Sequence, residues 1–345
     1  MLTGRLTIDL GAIADNWRDL DALTAPDCET GAVVKADAYG CGIERVGPVL
    51  TRAGCRCFFV ATPEEGGRLR GAIGPEPRIH ILAGYATGEE GDFRTYDLRP
   101  VLNALHQVKA WMSGPAGPAI LQLDTGMNRL GLEAADLAAL GPLPDCITHA
   151  MSHLACADVE GHPQTAAQLA AFHAMTGGHD TRLSLAATAG LLLGPDYHFA
   201  LTRPGIGLYG GWPFTEARRV VTAEVPILQI RSVSAGESVG YGAAWIAPRE
   251  CRIATICAGY ADGLIRAMGS GGACAFFGAH RLPFAGRVSM DLISLDVTDA
   301  PGIGHGDWVE ILGPHQSVDD LAAATGTIGH EILTSLGARY KRTYV

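Results

Sequence analysis

Short runs of apolar residues recur through about the first 215 residues, and most are separated by stretches whose apolar residues follow a helical spacing. Continuous apolar runs between turn-forming residues are typical of strands buried on both faces. The runs predict strands at residues 31–34, 57–61, 78–82, 98–102, 118–123, 147–151, 183–187 and 199–202. Helices are predicted between them at residues 43–52, 62–71, 104–112, 134–140 and 164–175. Strands alternating with helices in this way predict a (β/α)8 barrel. A doubly wound sheet is the alternative, because the helical pattern is weak after the third and seventh runs.

The pattern changes after about residue 215 to alternating apolar and polar positions broken by turns. Such alternation is typical of half-buried strands in a mostly β domain. Strands are predicted at residues 220–233, 252–256, 273–277, 292–297 and 308–312, and helices at residues 318–324 and 331–336. We therefore expect a barrel domain over residues 1–215 and a β-rich domain over residues 216–345, with residues 1–10 as a candidate extra strand of the second domain.

The amino-acid composition argues against several classes of protein. Hydrophobic residues make up 48% of the chain and charged residues 18%, which is too apolar for a disordered protein. No apolar run approaches the roughly 18 residues that a membrane-spanning helix needs. The net charge of −10, with no cluster of Lys and Arg, argues against nucleic acid and anionic membranes as partners. Charged residues in the opening segment leave no room for a signal peptide, so we expect a cytoplasmic protein.

The nine cysteines are odd in number and scattered, which predicts reduced thiols rather than a disulfide framework. Cys55 and Cys57 have no second pair of ligands nearby in the sequence, so no metal site is expected.

Lysine is rare in this chain, and one of the three lysines stands in a chemically informative place. Lys35 directly follows the first apolar run, whereas Lys109 and Lys341 do not end a predicted strand. In a (β/α)8 barrel the active site lies at the carboxyl ends of the strands. A lysine desolvated there has a lowered pKa and can attack a carbonyl group to form a Schiff base. The alternative is an exposed strand-end lysine in a salt bridge.

Other polar residues follow the first, fifth, sixth, seventh and eighth runs, so they are predicted at the same end of the barrel as Lys35. They are Tyr39, Arg129, His153, Thr188 and Arg203. The sequence from Gly205 to Gly210 fits GxGxxG but lacks the following helix of a dinucleotide-binding fingerprint. Its place after the eighth strand instead suits a phosphate bound by backbone N–H groups. A Schiff-base lysine together with a phosphate site predicts pyridoxal 5′-phosphate as cofactor.

At these residues the chain resembles the alanine racemases. The matching blocks occur in order as AVVKADAYGCG at 32–42, LDTGMNRLG at 123–131, RPGIGLYG at 203–210, VGYGAAW at 239–245, GYADG at 259–263 and GRVSMD at 286–291. The resemblance implies a barrel followed by a β domain and a head-to-tail homodimer with shared active sites. It implies that the chain interconverts L- and D-alanine, for peptidoglycan synthesis or for D-alanine catabolism.

The resemblance also implies the role of each site residue. The cofactor is bound covalently to Lys35, its phosphate contacts Tyr39, Thr188, Gly205 and Ile206, its ring nitrogen faces Arg203, and His153 packs beside the ring. Arg129 and the backbone N–H of Met290 bind the substrate carboxylate, and Tyr241 is the second base. Met290 and Tyr241 are expected from the partner subunit.

Racemisation requires bases on the two faces of a planar carbanion, and the resemblance assigns them to Lys35 and Tyr241. A tyrosine needs a nearby cation to act as a base at neutral pH, so Arg or His is expected beside Tyr241. One departure from the family pattern is Gln122, where some members have a carbamylated lysine. We expect the Gln122 amide to hydrogen-bond Arg129 in its place.

Three other functions are compatible with parts of this pattern. A racemase for serine or another small amino acid would share all of it. A non-catalytic carrier of pyridoxal phosphate would lack the β domain, and a decarboxylase of this fold would place an acidic residue where Arg203 stands.

Overall fold

The computed structural model describes residues 3–269 and 272–345. These residues form two compact units. We call the first the barrel unit, comprising residues 13–208 and 213–217, and the second the β unit, comprising residues 3–12, 209–212, 218–269 and 272–345. No helix in these ranges is long and apolar enough to cross a membrane.

Parallel strands form the sheet of the barrel unit, and each pairs with the next along the chain. Within the described residues the sheet runs through Ala32–Val33, Cys57–Val60, Arg78–Ile81, Leu98–Leu102, Ala119–Gln122, Ile147–Met151 and Arg182–Ser184. All four residues of Cys57–Val60 are buried. Burial of both faces explains why these strands appear in the sequence as continuous apolar runs rather than as alternating ones.

The first and last strands of this sheet are connected through an eighth strand. Leu201–Thr202 pairs in parallel with Glu29–Thr30, and the N–H of Gly31 donates to Thr202 O over 2.9 Å. On the other side, Ala187 and Arg203 form a parallel bridge. The sheet therefore closes on itself. The predicted (β/α)8 barrel is confirmed, and the doubly wound alternative is wrong.

Helices connect the barrel strands. They span Leu10–Leu23, Ile43–Ala53, Pro63–Ile73, Glu90–Thr95, Leu105–Ser113, Ala134–Leu140, Pro163–Thr176 and Thr188–Leu192, with a left-handed turn within Lys35–Tyr39 and short 3-10 turns at Pro195–Tyr197 and Ile206–Tyr209. The helices after the third and seventh strands are Glu90–Thr95 and Thr188–Leu192, which have six and five residues. Segments this short carry too few apolar positions to show a helical period, which explains the weak pattern there.

The β unit is mostly antiparallel sheet, as predicted for the second half of the chain. Its strands are Arg5–Ile8, Val221–Val233, Ser238–Val239, Trp245–Ile246, Cys251–Ile256, Cys274–Phe277, His280–Pro283, Ile293–Asp296, Trp308–Leu312 and Lys341–Tyr344. Its helices are Val318–Ala323 and Gly329–Ser335, with 3-10 turns at Tyr241–Ala243, Tyr260–Asp262 and Arg266–Gly269. The strand Arg5–Ile8 lies between Val221–Val233, to which it is antiparallel, and Lys341–Tyr344, to which it is parallel.

The turn Tyr260–Asp262 packs tightly against the neighbouring loop in the β unit. The N–H groups of Tyr260 and Ala261 donate to Ser289 O and Met290 O, both over 3.0 Å. Gly263 ends the turn with a φ of +92°, and a Cβ added there would lie 2.0 Å from Ser335 O. A side chain at Gly263 is therefore excluded by both backbone conformation and space.

We expect Gly263→Ala to lower the free energy of unfolding by about 3 kcal/mol or more, because strain at positive φ adds to overpacking. The matched control is Gly236→Ala, also at positive φ (+86°) but with open space around the added Cβ. Strain alone should cost the control about 1 kcal/mol. Thermal unfolding midpoints compare the two variants, and equal shifts would contradict the packing assigned to Gly263.

Candidate active site

Lys35 follows the strand Ala32–Val33 with only Val34 between them, at the carboxyl end where barrel active sites form. The chain then makes a left-handed helical turn. Ala36, Asp37 and Ala38 have φ near +54° and ψ near +50°, and Tyr39 has φ +54°. Left-handed conformation costs an L-residue about 1–2 kcal/mol, so four in succession store several kcal/mol that other contacts must offset.

Lys35 as a whole residue is exposed, while its amine is partly desolvated and lies near the charges of Arg129 and Glu65. Desolvation lowers its pKa most, and the charge of Arg129 lowers it further, while the carboxylate of Glu65 acts in the opposite direction. The lowered pKa gives the amine a larger neutral fraction than an ordinary lysine has at neutral pH. Lys35 is therefore suited to act as a nucleophile or as a base.

His153 lies near the same charges. Burial lowers its pKa to about 3, and the charges of Arg203, Arg129 and Lys35 contribute in the same direction. The ring is accordingly neutral across the physiological range. The His153 side chain therefore presents a neutral aromatic ring near three cationic groups and does not add to their mutual repulsion.

Arg203 is buried at the end of the eighth strand, with 3% of its surface exposed. It donates to Ser184 Oγ, to Ser152 O over 2.7 Å and to Leu185 O over 3.2 Å. Burial lowers its pKa to about 10, which still leaves the guanidinium protonated at neutral pH. These acceptors hold a permanent cation inside the barrel mouth.

Thr188 and the glycine-rich segment after Arg203 lie against one another. Thr188 Oγ1 accepts from Gly205 N over 2.9 Å and from Gly207 N over 3.3 Å. A Cβ on Gly205 would lie 2.5 Å from Tyr39 Oη, and one on Gly207 would lie 2.7 Å from Thr188 Cγ2. Glycine at both positions allows this close approach. Ile206 between them is buried and begins the 3-10 turn Ile206–Tyr209. The structure thus brings Tyr39, Thr188, Gly205 and Ile206 together.

Arg129 is exposed beyond a turn that Asp124 organises. Asp124 Oδ1 accepts from the N–H groups of Gly126, Met127 and Asn128 over 2.8–3.2 Å. Gln122 remains buried in its strand, where its Nε2 donates to Leu123 O over 3.4 Å. In the part of the chain that the structure describes, no hydrogen bond joins Gln122 to Arg129. The predicted hydrogen bond is therefore wrong, because the amide stays with its own strand while Arg129 lies beyond the turn.

Tyr241 and Met290 belong to the β unit. Tyr241 begins the 3-10 turn Tyr241–Ala243 and is 71% exposed, and Met290 is 54% exposed. A Cβ built on Gly242 would lie 2.9 Å from Nη1 of Arg287, so a guanidinium lies next to the segment that carries Tyr241. This is the kind of cation expected beside Tyr241. The roles of Tyr241 and Met290 stay predictions.

The barrel mouth therefore combines a reactive amine with fixed positive charge. The charges of Lys35, Arg129 and Arg203 all act on the neutral His153. Such a surrounding favours an anionic ligand, and the amine of Lys35 favours a ligand with a carbonyl group. The residues present fit a phosphorylated aldehyde such as pyridoxal 5′-phosphate.

Family models match both halves of the chain. The model described as the N-terminal domain of alanine racemase matches residues 8–213, and the one described as the C-terminal domain of alanine racemase matches residues 220–344. The chain belongs to the alanine racemase family. It is 52% identical over 350 residues to the alanine racemase of Cereibacter sphaeroides strain ATCC 17029, covering 100% of this chain and 99% of that protein. It is 45% identical over 370 residues to the biosynthetic alanine racemase of Agrobacterium fabrum, covering 99% and 93%.

Solved structures of this family share the fold. The alanine racemase of Bartonella henselae, solved with covalently bound pyridoxal phosphate, matches with a TM-score of 0.94 and 39% identity over 99% of each chain. The biosynthetic alanine racemase of Pseudomonas aeruginosa matches with a TM-score of 0.93 and 36% identity over 100% of each chain.

Two carboxylates near Lys35 are missing from the predicted site residues. Glu65 accepts the N–H of Asp37 over 3.2 Å, and Asp37 Oδ1 accepts the N–H of Ile43 over 3.1 Å. In the sequence, Glu65 is the third residue after Thr62 in a helix-start pattern, which assigns it to capping. The contact with Asp37 crosses from one barrel loop to the next and has no local sequence signal.

We expect Lys35 to titrate below the usual range for lysine, and Arg129→Gln to raise its pKa toward that range because a repelling charge is removed. The pH dependence of acetylation, followed by mass spectrometry of the cofactor-free protein, measures this. Lys109 and Lys341 serve as internal references in the same sample. An unchanged Lys35 profile in Arg129→Gln would show that the two charges do not interact.

Proposed function

We propose that this chain is an alanine racemase that interconverts L- and D-alanine with pyridoxal 5′-phosphate attached to Lys35. The observation that carries the proposal is the placement of Lys35, after the first barrel strand and near Arg129, together with a neutral His153 on which Lys35, Arg129 and Arg203 all act. Membership of the alanine racemase family over the whole chain supports the same activity. The chain is then an isomerase acting on an amino acid.

The residues of the barrel unit hold the cofactor in this proposal. Pyridoxal 5′-phosphate, when bound, withdraws electrons from the amino acid and makes its α-proton acidic. Lys35 provides the covalent attachment, and His153 packs beside the ring. The phosphate is bound by Tyr39, Thr188, Gly205 and Ile206. The mutual packing of these four residues supports a shared role, although Thr188 itself accepts the N–H of Gly205 in this structure.

Arg203 faces the pyridine nitrogen in the proposal. Its guanidinium is fixed by Ser184, Ser152 and Leu185 and stays protonated at neutral pH. It therefore donates a hydrogen bond without transferring a proton, which leaves the ring nitrogen neutral. By keeping the ring nitrogen neutral, Arg203 would favour proton transfer over decarboxylation and transamination. An acidic residue at this position would do the reverse.

Lys35 and Tyr241 move the α-proton on opposite faces of the substrate. Once the substrate amine has displaced it from the cofactor, Lys35 would accept the α-proton of D-alanine, and Tyr241 of the partner subunit would accept that of L-alanine. The guanidinium of Arg287 lies beside the segment that carries Tyr241, where this role calls for a cation. Arg129 and the backbone N–H of Met290 of the partner subunit bind the substrate carboxylate. Exposure of Tyr241 and Met290 on the β unit supports their use by a second chain.

The proposal also includes the oligomeric state and the cellular location of the enzyme. We assign the enzyme to a homodimer with shared active sites in the cytoplasm, where it supplies D-alanine for peptidoglycan or serves D-alanine catabolism. All nine cysteines are free, and Cys41, Cys55, Cys57, Cys251 and Cys274 are buried. Buried reduced thiols support a reducing compartment.

Complementation between two inactive variants tests the proposal. We expect Lys35→Ala to lose the visible absorbance of the bound cofactor and all racemisation, and Tyr241→Phe to keep the absorbance but to slow racemisation by at least 10²-fold, the typical contribution of a general base. Mixed subunits should regain activity at one of the two sites of each heterodimer. Assays with alanine and with serine separate the two substrate preferences.

Racemisation by Lys35→Ala at the wild-type rate would contradict the role of Lys35. Inactive heterodimers, with subunit exchange verified by mass spectrometry, would contradict the sharing of sites between subunits.

A further inference from the structure

The left-handed turn after Lys35 needs an external restraint. None of its members, Ala36, Asp37, Ala38 and Tyr39, is a glycine, the residue for which this conformation carries no steric penalty. Backbone bonds within the segment contribute, since Ala38 N donates to Val34 O over 2.9 Å and Gly40 N donates to Ala36 O over 2.8 Å. The first residue of the turn is bonded directly to Lys35, so the conformation of the turn fixes where the lysine side chain starts.

Glu65 provides a restraint from the next barrel loop. Its Oε1 accepts the N–H of Asp37 over 3.2 Å, and its Oε2 accepts the N–H of Ala61 over 2.8 Å. Ala61 follows the second barrel strand, Cys57–Val60. The carboxylate therefore ties the left-handed turn after the first strand to the end of the second strand. Hydrogen bonds from N–H groups to a carboxylate are stronger than those between neutral groups.

The side chain of Asp37 also restrains the left-handed turn. Asp37 Oδ1 accepts the N–H of Ile43, the first residue of the next helix, and a bond from Nη2 of Arg68 over 2.8 Å. Arg68 also donates from Nε and Nη2 to the carboxylate of Glu44 over 2.6 and 2.8 Å. Asp37 is thus held through its backbone by Glu65 and through its carboxylate by the following helix and Arg68.

We propose that Glu65 is a positioning residue that holds the left-handed turn and so directs the amine of Lys35 toward the aldehyde of the cofactor. This inference rests on the proposed function, in which Lys35 carries the cofactor. Both carboxylate oxygens of Glu65 are engaged by backbone N–H groups, so Glu65 acts through the turn and does not transfer protons. Its negative charge also favours the protonated form of Lys35.

The test separates covalent capture from simple binding. Cofactor is removed from the full-length enzyme with hydroxylamine, and two compounds are added back: pyridoxal 5′-phosphate and 4′-deoxypyridoxine 5′-phosphate, which has no aldehyde. In Glu65→Gln an amide replaces one of the two acceptor oxygens. We expect covalent capture of pyridoxal 5′-phosphate to slow about ten- to hundredfold, the effect of losing one charged hydrogen bond. Binding of the aldehyde-free analogue should change less than about twofold.

Glu64→Gln is the matched control. Glu64 has the same side chain on the same helix, is exposed, and takes no part in the bonds to Asp37 and Ala61. It should match the wild type in capture and in binding.

A second variant tests whether the turn conformation is the cause and protects the experiment against poor folding of Glu65→Gln. Ala36 is exposed with φ +53°, and glycine there removes one of the four left-handed penalties, which is comparable in size to the bond lost in Glu65→Gln. We expect Glu65→Gln/Ala36→Gly to fold and to recover capture to within about threefold of wild type.

Equal capture by Glu65→Gln and Glu64→Gln, an equal loss of analogue binding and capture, or no recovery in the double variant would each overturn the inference. Borohydride reduction and peptide mapping of the wild type identify the captured lysine. Attachment to Lys109 or Lys341 would instead contradict the proposed function.

Discussion

The hydrogen bonds between the eighth strand and the start of the first determine which residues meet in the candidate site. Gly31 N donates to Thr202 O and Val33 N donates to Pro204 O, both over 2.9 Å. Without this closure, Lys35 and the segment from Arg203 onward would lie at opposite edges of an open sheet. Closure places them on neighbouring strands with parallel direction, so both follow the carboxyl ends of their strands. Tyr39 is then close enough to Gly205 that no side chain fits between them.

The positive charges at the barrel mouth repel one another, and an anionic ligand offsets this repulsion. The charges of Arg129, Arg203 and Lys35 lower the pKa of His153, and that of Arg129 lowers the pKa of Lys35. Such repulsion destabilises the folded protein while no ligand is bound. A phosphorylated cofactor and an amino acid carboxylate both carry negative charge and offset it. Glu65 supplies one opposing charge from the protein. The two oxygens that carry this charge also accept the N–H groups of Asp37 and Ala61. The same carboxylate therefore affects both the charge state of Lys35 and the conformation of the turn beside it.

The barrel could be predicted from the sequence because its strands are buried on both faces. Predicted strands at residues 98–102 and 147–151 agree with Leu98–Leu102 and Ile147–Met151. The helix Leu10–Leu23 is missing from the prediction, although Ile13, Trp17 and Leu20 are buried at helical spacing. Asp9 precedes this helix and its Oδ1 accepts the N–H of Ala12 over 2.8 Å, which is a start signal that the prediction did not use. The left-handed turn could not be predicted, since Ala-Asp-Ala-Tyr contains no glycine and its restraint comes from Glu65 in another loop. The wrong hydrogen bond for Gln122 has a similar origin, because strand packing rather than residue type decides where that amide points.

The most direct test of the proposed function is hydrogen exchange at the α-carbon. The purified enzyme, loaded with pyridoxal 5′-phosphate and showing its visible absorbance, is incubated with L-alanine in deuterated water, and the two enantiomers are separated and analysed by mass spectrometry. Proton transfer on both faces predicts D-alanine that carries deuterium and recovered L-alanine that gains it. Loaded enzyme that incorporates no deuterium into either enantiomer would contradict the proposed racemase activity toward alanine.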